Sequence, residues 1–326
     1  MSHRPDETEV VWSLPMRVRF RGIDVREGVL LRGADGGWGE WSPFLDYDAP
    51  TSEPWLRCAE EAVRGDWPAP VRDRVPVNVT IPAVDPERAA ELVRARPGFR
   101  TAKVKVAEPG QTLADDEARV AAVRDALGPD GAVRIDVNGG WSVDAAVRAI
   151  AVLDRAAGGL EYVEQPCASV EDLAAVRRRV EVPIAADESI RRASDPYRVR
   201  ELEAADVAVI KVQPLGGVAA CLRIAEDIGL PVVVSSALET SVGLAAGVAL
   251  AAALPELPYA CGLGTTSLLD GDVVADPLLP VDGALPVRRP VPDPDLLVAH
   301  RAAPEREAIW RARLAEVRAV RQDRRP

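Results

Sequence analysis

Histidine is nearly absent from this sequence. The 326 residues include only two histidines, His3 and His300, one near each end of the chain. Histidine is the usual side chain for acid–base work near neutral pH and a frequent zinc ligand, so sites of either kind are poor candidates here. We therefore expect any proton transfer or metal binding to depend on carboxylates and lysines.

Cysteine is also scarce. The four cysteines, Cys58, Cys167, Cys221 and Cys261, are scattered along the chain, and no two of them have the CxxC spacing of a zinc knuckle or a thioredoxin-type motif. Scattered cysteines in a chain of this length are typical of reduced proteins, which predicts a cytoplasmic location.

Long apolar segments and an excess of positive charge are missing too. The longest apolar run, Val242 to Leu254, is shorter than the roughly 20 residues that span a bilayer. The segment from Met1 to Glu9 lacks the apolar core of a signal peptide. The formal net charge is −11, which argues against nucleic-acid or anionic-membrane partners. A local positive pocket could still bind an anionic small molecule.

The order of predicted elements indicates an α/β protein. Residues 1–75 carry short strands, glycine-rich turns and a helix expected to open at Thr51–Pro54, which predicts an N-terminal α+β capping domain. Residues 76–265 carry eight strands, from Val75–Ile81 to Tyr259–Gly262, that alternate with helices. This pattern predicts a TIM-type (β/α)8 barrel, or one with a modified last unit. Residues 266–326 are expected to pack back toward the capping domain.

An open doubly wound sheet is the alternative architecture for the same alternation of strands and helices. Sheets of that kind usually have a glycine-rich phosphate-binding turn after the first strand. No such turn follows Val75–Ile81, so the barrel is favoured.

Charged residues stand at the carboxyl ends of successive strands, where the active sites of such barrels lie. In chain order they are a Lys-x-Lys pair, three acidic residues and one more lysine: Lys103, Lys105, Asp136, Glu164, Asp187 and Lys211. Three carboxylates brought together would repel one another unless a cation lay between them. Oxygen ligands without histidine or cysteine suit a hard ion, most simply Mg²⁺, with Mn²⁺ as a substitute.

Each of these residues also has an ordinary structural interpretation. A single Asp at a strand end is more often a helix cap than a metal ligand, and a single Lys is usually solvated. However, Lys211 follows the apolar stretch Val207–Ile210, where an unpaired ammonium group would be costly to bury. The full set on consecutive strand ends therefore favours a catalytic rim.

These motifs resemble those of the enolase superfamily, and within it of the muconate-lactonizing-enzyme-like subgroup. The resemblance covers nearly the whole chain. It is carried by Lys103-Val-Lys105, Arg134-Ile-Asp-Val-Asn138, Glu164-Gln-Pro166, Asp187-Glu-Ser189 and Lys211. It implies that Asp136, Glu164 and Asp187 hold the metal ion, that Lys105 is the catalytic base, and that Lys211 stabilises an enediolate from the opposite side.

A finer resemblance, to a dehydratase of this subgroup, rests on three further segments: Arg19-Phe-Arg-Gly22, Asn78-Val-Thr-Ile-Pro82 and Ser235-Ser-Ala-Leu-Glu-Thr240. It implies a carbon–oxygen lyase that removes water from 2-succinyl-6-hydroxy-2,4-cyclohexadiene-1-carboxylate by syn elimination. The product would be 2-succinylbenzoate, an intermediate of menaquinone biosynthesis.

Further residues are candidates for substrate contacts or for support of the rim. Lys103 stands beside the base, Asn138 is expected to orient a metal ligand, and Arg134 is expected one layer deeper, paired with a carboxylate. The candidate donors to the succinyl carboxylate are Ser235, Ser236, Gly262 and Gly264. Arg21 is the cap residue that is expected to close over the pocket.

Two other functions stay open from the sequence. A racemase of N-succinylamino acids or a dipeptide epimerase would use the same ion and both lysines, although the Asp-x-Asp motif expected of a dipeptide epimerase is replaced by Gly262-Leu-Gly-Thr-Thr266. A non-catalytic barrel is disfavoured by the intact set of lysines and carboxylates. A small carboxylate substrate is expected as the partner, and the oligomeric state stays undetermined.

Overall fold

The capping region is a three-stranded antiparallel sheet with one helix. In this computed structural model, which describes residues 8–20, 22–191 and 196–323, the strands are β1 (Glu9–Phe20), β2 (Ile23–Arg32) and β3 (Trp38–Trp41), in the order β1-β2-β3. Helix α1 (Ala49–Arg64) follows. Large buried side chains from the sheet and the helix, Val29, Trp41, Trp55 and Leu56 among them, form its core.

Helix α1 begins before the expected Thr51. Asp48 is its N-cap and accepts a hydrogen bond from the Thr51 amide at 2.9 Å, while Pro50 occupies the first turn. Both residues are typical of a helix start, which moves the beginning of the helix to Ala49. The helix ends at Gly65, whose φ of 74° is left-handed and therefore suits glycine.

The barrel sheet has seven parallel strands that follow one another in chain order. They are β5 (Val79–Ile81), β6 (Thr101–Lys105), β7 (Ala132–Asp136), β8 (Leu160–Glu164), β9 (Ile184–Ala186), β10 (Val207–Lys211) and β11 (Val232–Ser235).

The barrel is closed by a short eighth segment. Cys261 bridges Val77 on one side, and Gly262 bridges Ser235 on the other, both in parallel. The expected last strand at Tyr259–Gly262 is thus reduced to these two residues. The (β/α)8-type barrel with a modified last unit and an N-terminal cap is confirmed.

The helices that follow the strands begin at polar caps such as Thr112, Ser142 and Ser169. Their bounds are α2 Pro86–Arg94, α3 Leu113–Leu127, α4 Val143–Ala157, α5 Val170–Arg177, α6 Glu188–Arg191, α7 Arg198–Glu201, α8 Val212–Leu215, α9 Val218–Ile228 and α10 Ser241–Ala253.

Alternation along the strands separates two apolar layers. Ala102 and Val104 of β6 belong to the core between the strands and the helices. Lys103 and Lys105 alternate with them and therefore face the barrel interior. A second cluster, with Tyr162 and Val209, fills the interior below the rim.

The expected first barrel strand, Val75–Ile81, is divided in the structure. Strand β4 (Arg74–Pro76) pairs antiparallel with β12 (Ala284–Pro286), and only Val79–Ile81 joins the barrel sheet. Between Leu263 and Gly283, all of which the structure describes, the only helical element is a 3₁₀ turn at Thr266–Leu268. The returning chain thus adds an edge strand at the base of the barrel instead of an eighth long helix.

The C-terminal helices complete the described chain. Helix α11 (Pro294–Ala299) is followed by α12 (Pro304–Asp323), whose Trp310 packs edge-on against Trp41 of the cap with ring centroids 5.6 Å apart. The domain boundaries expected near residues 75 and 265 stay a prediction. Across the described ranges, no helix combines the length and the apolar character that a membrane span requires.

One buried ion contact fastens α12 to the cap. The Glu27 carboxylate accepts hydrogen bonds from Arg306 Nε at 2.9 Å and from Trp310 Nε1 at 3.2 Å. Burial alone would raise the pKa of Glu27, but these hydrogen bonds outweigh it and hold the pKa below its usual range. The ionised carboxylate therefore stabilises the folded state.

We expect Glu27→Gln to lower the free energy of unfolding by about 1 kcal/mol at pH 7, because the pair is partly exposed on the arginine side. Since the folded pKa lies below the unfolded one, the contribution is complete above the unfolded pKa of about 4.3 and is lost as the pH falls through the folded pKa. Urea unfolding of both proteins across this range checks it. A difference that stays constant down to the lowest pH would contradict this account.

Candidate active site

Strand register places the predicted charged residues side by side on one rim. Lys105 is opposite Asp136, and Asp136 is opposite Glu164, on three adjacent strands. Asp187 comes directly after β9, and Lys211 ends β10. Because parallel strands end at one edge of the sheet, these side chains meet at the carboxyl end of the barrel.

On one side of the rim, two lysines hold the first two carboxylates. Lys103 Nζ lies 2.9 Å from both Asp136 Oδ2 and Glu164 Oε1. Lys105 Nζ lies 2.6 Å from Asp136 Oδ2 and 2.5 Å from Asn138 Oδ1. The structure therefore brings Lys103, Lys105 and Asn138 to the acidic residues, as the sequence predicts.

On the other side, Lys211 and an arginine hold the third carboxylate. Lys211 Nζ lies 2.6 Å from Asp187 Oδ2, and Arg191 Nε lies 2.7 Å from Asp187 Oδ1. The sequence reasoning missed Arg191. The sequence feature that could have identified Arg191 is its position four residues after Asp187. When the short helix α6 forms, this spacing brings the two side chains into contact.

The carboxylates are almost completely buried, with about 1% of each exposed. Burial and the neighbouring charges of Asp136 and Asp187 raise the pKa of Glu164 to about 7. Burial works in the same direction at Asp136, but Lys103 and Lys105 outweigh it and lower the pKa of that residue. The three carboxylates therefore concentrate negative charge at the rim, and nearby cationic groups must neutralise it.

The donor set fits a hard divalent cation in its chemistry. All the donor groups are carboxylate oxygens, and the raised pKa of Glu164 reflects the cost of gathering them. In the structure the lysine ammonium groups supply the neutralising charge. Within the described part of the chain, no three acidic, His or Cys side chains already form a site that could hold an ion.

Gln165 is a further residue that the sequence reasoning did not single out. Its Oε1 accepts hydrogen bonds from the amides of Asp187 at 3.0 Å and Ser189 at 3.2 Å, and its Nε2 donates to Ser189 Oγ at 2.7 Å. The residue adopts a left-handed φ of 42°. Gln165 thereby ties the end of β8 to the segment that carries Asp187.

The candidate substrate donors lie together at the seam that closes the barrel. Ser235 is opposite Lys211 in register, which places it beside the rim. The Ser236 amide donates to Gly262 O at 3.0 Å, and the Ser236 and Thr265 hydroxyls are 2.5 Å apart. A Cβ on Gly262 would stand 2.7 Å from Ser235 Oγ, so a larger residue here would displace the Ser235 side chain. Gly264 follows in the same turn.

The structure places Arg134 one layer below the rim, where the sequence predicts it. Arg134 points into the deeper layer, where it donates to Glu161 at 2.8 Å, to the Tyr162 hydroxyl at 2.8 Å and to Ala260 O at 2.8 Å. The expected carboxylate partner is therefore Glu161 and not a member of the acidic trio. Arg21 lies outside the described residues.

A buried ion pair on α3 supports the strand end that carries Lys105. Arg119 donates to Lys105 O at 3.0 Å and to Asp116 Oδ1 at 2.7 Å, and Asp116 in turn accepts the Ala107 amide at 2.9 Å. Ala107 has a left-handed φ of 61°, which is uncommon for alanine. The pair thus stabilises the turn that directly follows Lys105.

A capped barrel of this kind, with lysines on both sides of three buried carboxylates, is the arrangement expected of the enolase superfamily. Residues 86–293 match the family described as "Enolase C-terminal domain-like", and residues 11–63 match "Enolase N-terminal domain-like". The chain belongs to this superfamily.

Particular relatives narrow the assignment. The chain is 66% identical over 309 residues to an o-succinylbenzoate synthase of Thermobifida fusca, with 95% of each chain covered. It is 59% identical over 300 residues to the o-succinylbenzoate synthase of Mycolicibacterium smegmatis, with 92% of this chain and 91% of the relative covered. Within the superfamily, the chain therefore belongs to the o-succinylbenzoate synthase family.

Solved structures agree with the fold. The muconate lactonizing enzyme from Pseudomonas fluorescens, complexed with muconolactone, aligns with a TM-score of 0.77 at 24% identity and covers 90% of this chain and 98% of its own. At that identity the likeness supports the architecture alone.

We expect Arg119→Met to lower the free energy of unfolding by about 3 kcal/mol, because it leaves the buried Asp116 carboxylate without its cation. Urea unfolding measures the loss. The matched control is Arg88→Met, which breaks an arginine–acid pair with the same three-residue spacing whose side chains are 57% and 51% exposed. The control should change stability by less than about 0.5 kcal/mol. Equal losses in the two variants would contradict a supporting role for Arg119.

Proposed function

We infer that this protein functions as an o-succinylbenzoate synthase. The observation that carries this inference is the 66% identity to such a synthase over 95% of both chains. The reaction is the dehydration of 2-succinyl-6-hydroxy-2,4-cyclohexadiene-1-carboxylate to 2-succinylbenzoate, which makes the protein a hydro-lyase.

The mechanism we propose begins with removal of the proton α to the ring carboxylate. Lys105 takes this proton as an amine, and the electron pair of the broken C–H bond passes into an enediolate. Collapse of the enediolate expels the 6-hydroxyl group from the same face of the ring. The Lys105 ammonium returns its proton to that leaving group, so that water departs and the ring becomes aromatic.

The other rim residues hold the developing charge in place. Lys211 approaches Asp187 from the opposite side and supplies positive charge to the enediolate. Lys103, between Asp136 and Glu164, keeps those carboxylates oriented. Asn138 contacts Lys105 directly, so it orients the base as well as the neighbouring carboxylate.

Asp136, Glu164 and Asp187 are the residues that would hold the metal ion, which we propose to be Mg²⁺, with Mn²⁺ as a substitute. When bound, a divalent ion supplies positive charge to the substrate carboxylate and lowers the cost of its second negative charge. The all-oxygen donor set, buried to about 1% exposure, supports this choice.

The succinyl tail of the substrate needs a site for its own carboxylate. Ser235 and Ser236, together with backbone amides of the turn through Gly262 and Gly264, are the donors we propose. Their support is the register that places Ser235 beside Lys211. Arg134 is too deep in the barrel for this role, and we assign it to the interior ion pair with Glu161.

We propose that the reaction belongs to menaquinone biosynthesis and takes place in the cytoplasm. The support for the location is that all four cysteines are buried and free of disulfides.

The purified protein is expected to convert the cyclohexadiene acid to 2-succinylbenzoate, and Lys105→Ala should reduce kcat by about a thousandfold or more because the base is lost. Formation of the aromatic product, followed by NMR, measures the rate. Circular dichroism shows whether the variant keeps the fold.

A chiral N-succinylamino acid offered in parallel tests the racemase alternative, since lysines stand on both sides of the rim. Loss of optical activity without any dehydration of the cyclohexadiene acid would overturn the synthase assignment. Near-normal turnover by Lys105→Ala would remove that residue from the role of base.

Removal of divalent ions with a chelator is expected to abolish turnover, and Mg²⁺ should restore it. Asp187→Asn should raise the Mg²⁺ concentration needed for half-maximal turnover by roughly tenfold or more, because one anionic ligand is lost. Calorimetric Mg²⁺ titration provides a second readout. The matched control is Asp144→Asn, an exposed residue that pairs with Arg179 and with none of the rim residues. Unchanged Mg²⁺ binding by Asp187→Asn would exclude Asp187 as a ligand.

A further inference from the structure

Two buried polar side chains of the cap, those of Arg26 and Glu40, reach across to the loop between β11 and α10. Arg26, on β2, is 2% exposed. Its Nε donates to Leu238 O at 3.0 Å, and its Nη2 donates to Ala237 O at 3.2 Å. The same guanidinium lies 4.5 Å from the centroid of the Phe44 ring. The guanidinium group of the cap thus binds two backbone carbonyl groups of loop 236–240.

Glu40, on β3, binds the other end of the same loop. It is 1% exposed, and its carboxylate accepts the amides of Thr240 at 3.1 Å and Gly243 at 3.2 Å. These amides belong to the N-terminus of α10, where the helix leaves its first N–H groups unpaired and favours an anion. Burial raises the pKa of Glu40 to about 7. The hydrogen bonds that its carboxyl group accepts complete the start of this barrel helix.

The loop has a conformation that needs such support. Leu238 has a φ of 67°, in the left-handed region that a leucine rarely adopts. The contact is also close, since a Cβ on Gly243 would stand 2.8 Å from Glu40 Cδ. The close contact therefore leaves the loop little room to shift relative to the cap.

The cap reaches the neighbouring strand end through the same cluster. Ser42 Oγ donates to Glu40 at 2.7 Å and lies 3.4 Å from Gln213 Oε1. Gln213 comes two residues after Lys211, and loop 236–240 comes directly after Ser235. Arg26 and Glu40 thus contact the loop after β11, and Ser42 extends the same cluster to the segment after β10.

We propose that Arg26 and Glu40 are positioning residues that hold loop 236–240 so that Ser235 and Ser236 face the substrate. This proposal rests on the proposed function, because it takes the two serines as donors to the succinyl tail. The cap then contributes to substrate affinity from a distance, through the loop, without touching the substrate with either side chain.

The test compares Arg26→Lys and Glu40→Gln with the wild-type full chain. Each variant should raise KM for the cyclohexadiene acid by roughly tenfold while kcat changes less than about threefold, because substrate binding and not the base is disturbed. Hydrogen exchange of the amides at 236–243 should become roughly tenfold faster in the protein without substrate. Circular dichroism and thermal unfolding report on the fold.

The matched control is Glu27→Gln, next to Arg26 on the same strand, whose carboxylate binds α12 instead of the loop. It should lose stability with wild-type KM and wild-type exchange at 236–243. If Glu40→Gln does not fold, Glu40→Asp keeps the carboxyl group and withdraws it by one methylene, with the same expected changes.

Two results have distinct meanings. Wild-type KM and wild-type loop exchange in the Arg26 and Glu40 variants, with lower stability only, would overturn the proposal and leave a purely structural contact. Failure of the wild-type protein to turn over the cyclohexadiene acid would overturn the proposed function instead. In that case unchanged exchange at 236–243 would still reject the loop contact, since that measurement does not depend on activity.

Discussion

The neutralisation of three buried carboxylates at one end of the barrel is the constraint on which this molecule depends. Asp136, Glu164 and Asp187 are each about 1% exposed, and an isolated buried carboxylate is strongly unfavourable. Lysines from β6 and β10 approach them from two sides. The same positive groups that make this rim possible are the ones to which we assign the acid–base chemistry and the stabilisation of the enediolate.

The rim is supported from outside the barrel lumen. Arg119 and Asp116 hold the turn after Lys105, and Gln165 ties the segment of Asp187 to β8. Left-handed backbone at Ala107 and Gln165 shows that these turns are not relaxed local structures. Their conformation is maintained by hydrogen bonds from neighbouring elements, which gives the site its fixed geometry.

Two neighbouring residues of the cap strand β2 make contacts that have different consequences. Glu27 binds α12, which wraps the C-terminal chain around the cap. Arg26, the preceding residue on the strand, faces the opposite way and binds the loop after β11. Successive residues of a strand point to opposite faces. One short segment of β2 can therefore hold α12 against the cap with one side chain and hold the loop beside the rim with the other.

Much of the fold and of the site could be predicted from the sequence, because strand alternation and the spacing of about one βα unit between charged residues are local properties of the chain. They were sufficient for the capped barrel and for bringing Lys103, Lys105, Asp136, Glu164, Asp187 and Lys211 to one rim. Tertiary structure alone decided the division of Val75–Ile81, the reduction of the last strand to Cys261 and Gly262, and the choice of Glu161 as the carboxylate partner of Arg134. It also decided the roles of Arg191, Gln165 and Arg26, since those contacts depend on which distant segments meet when the barrel closes.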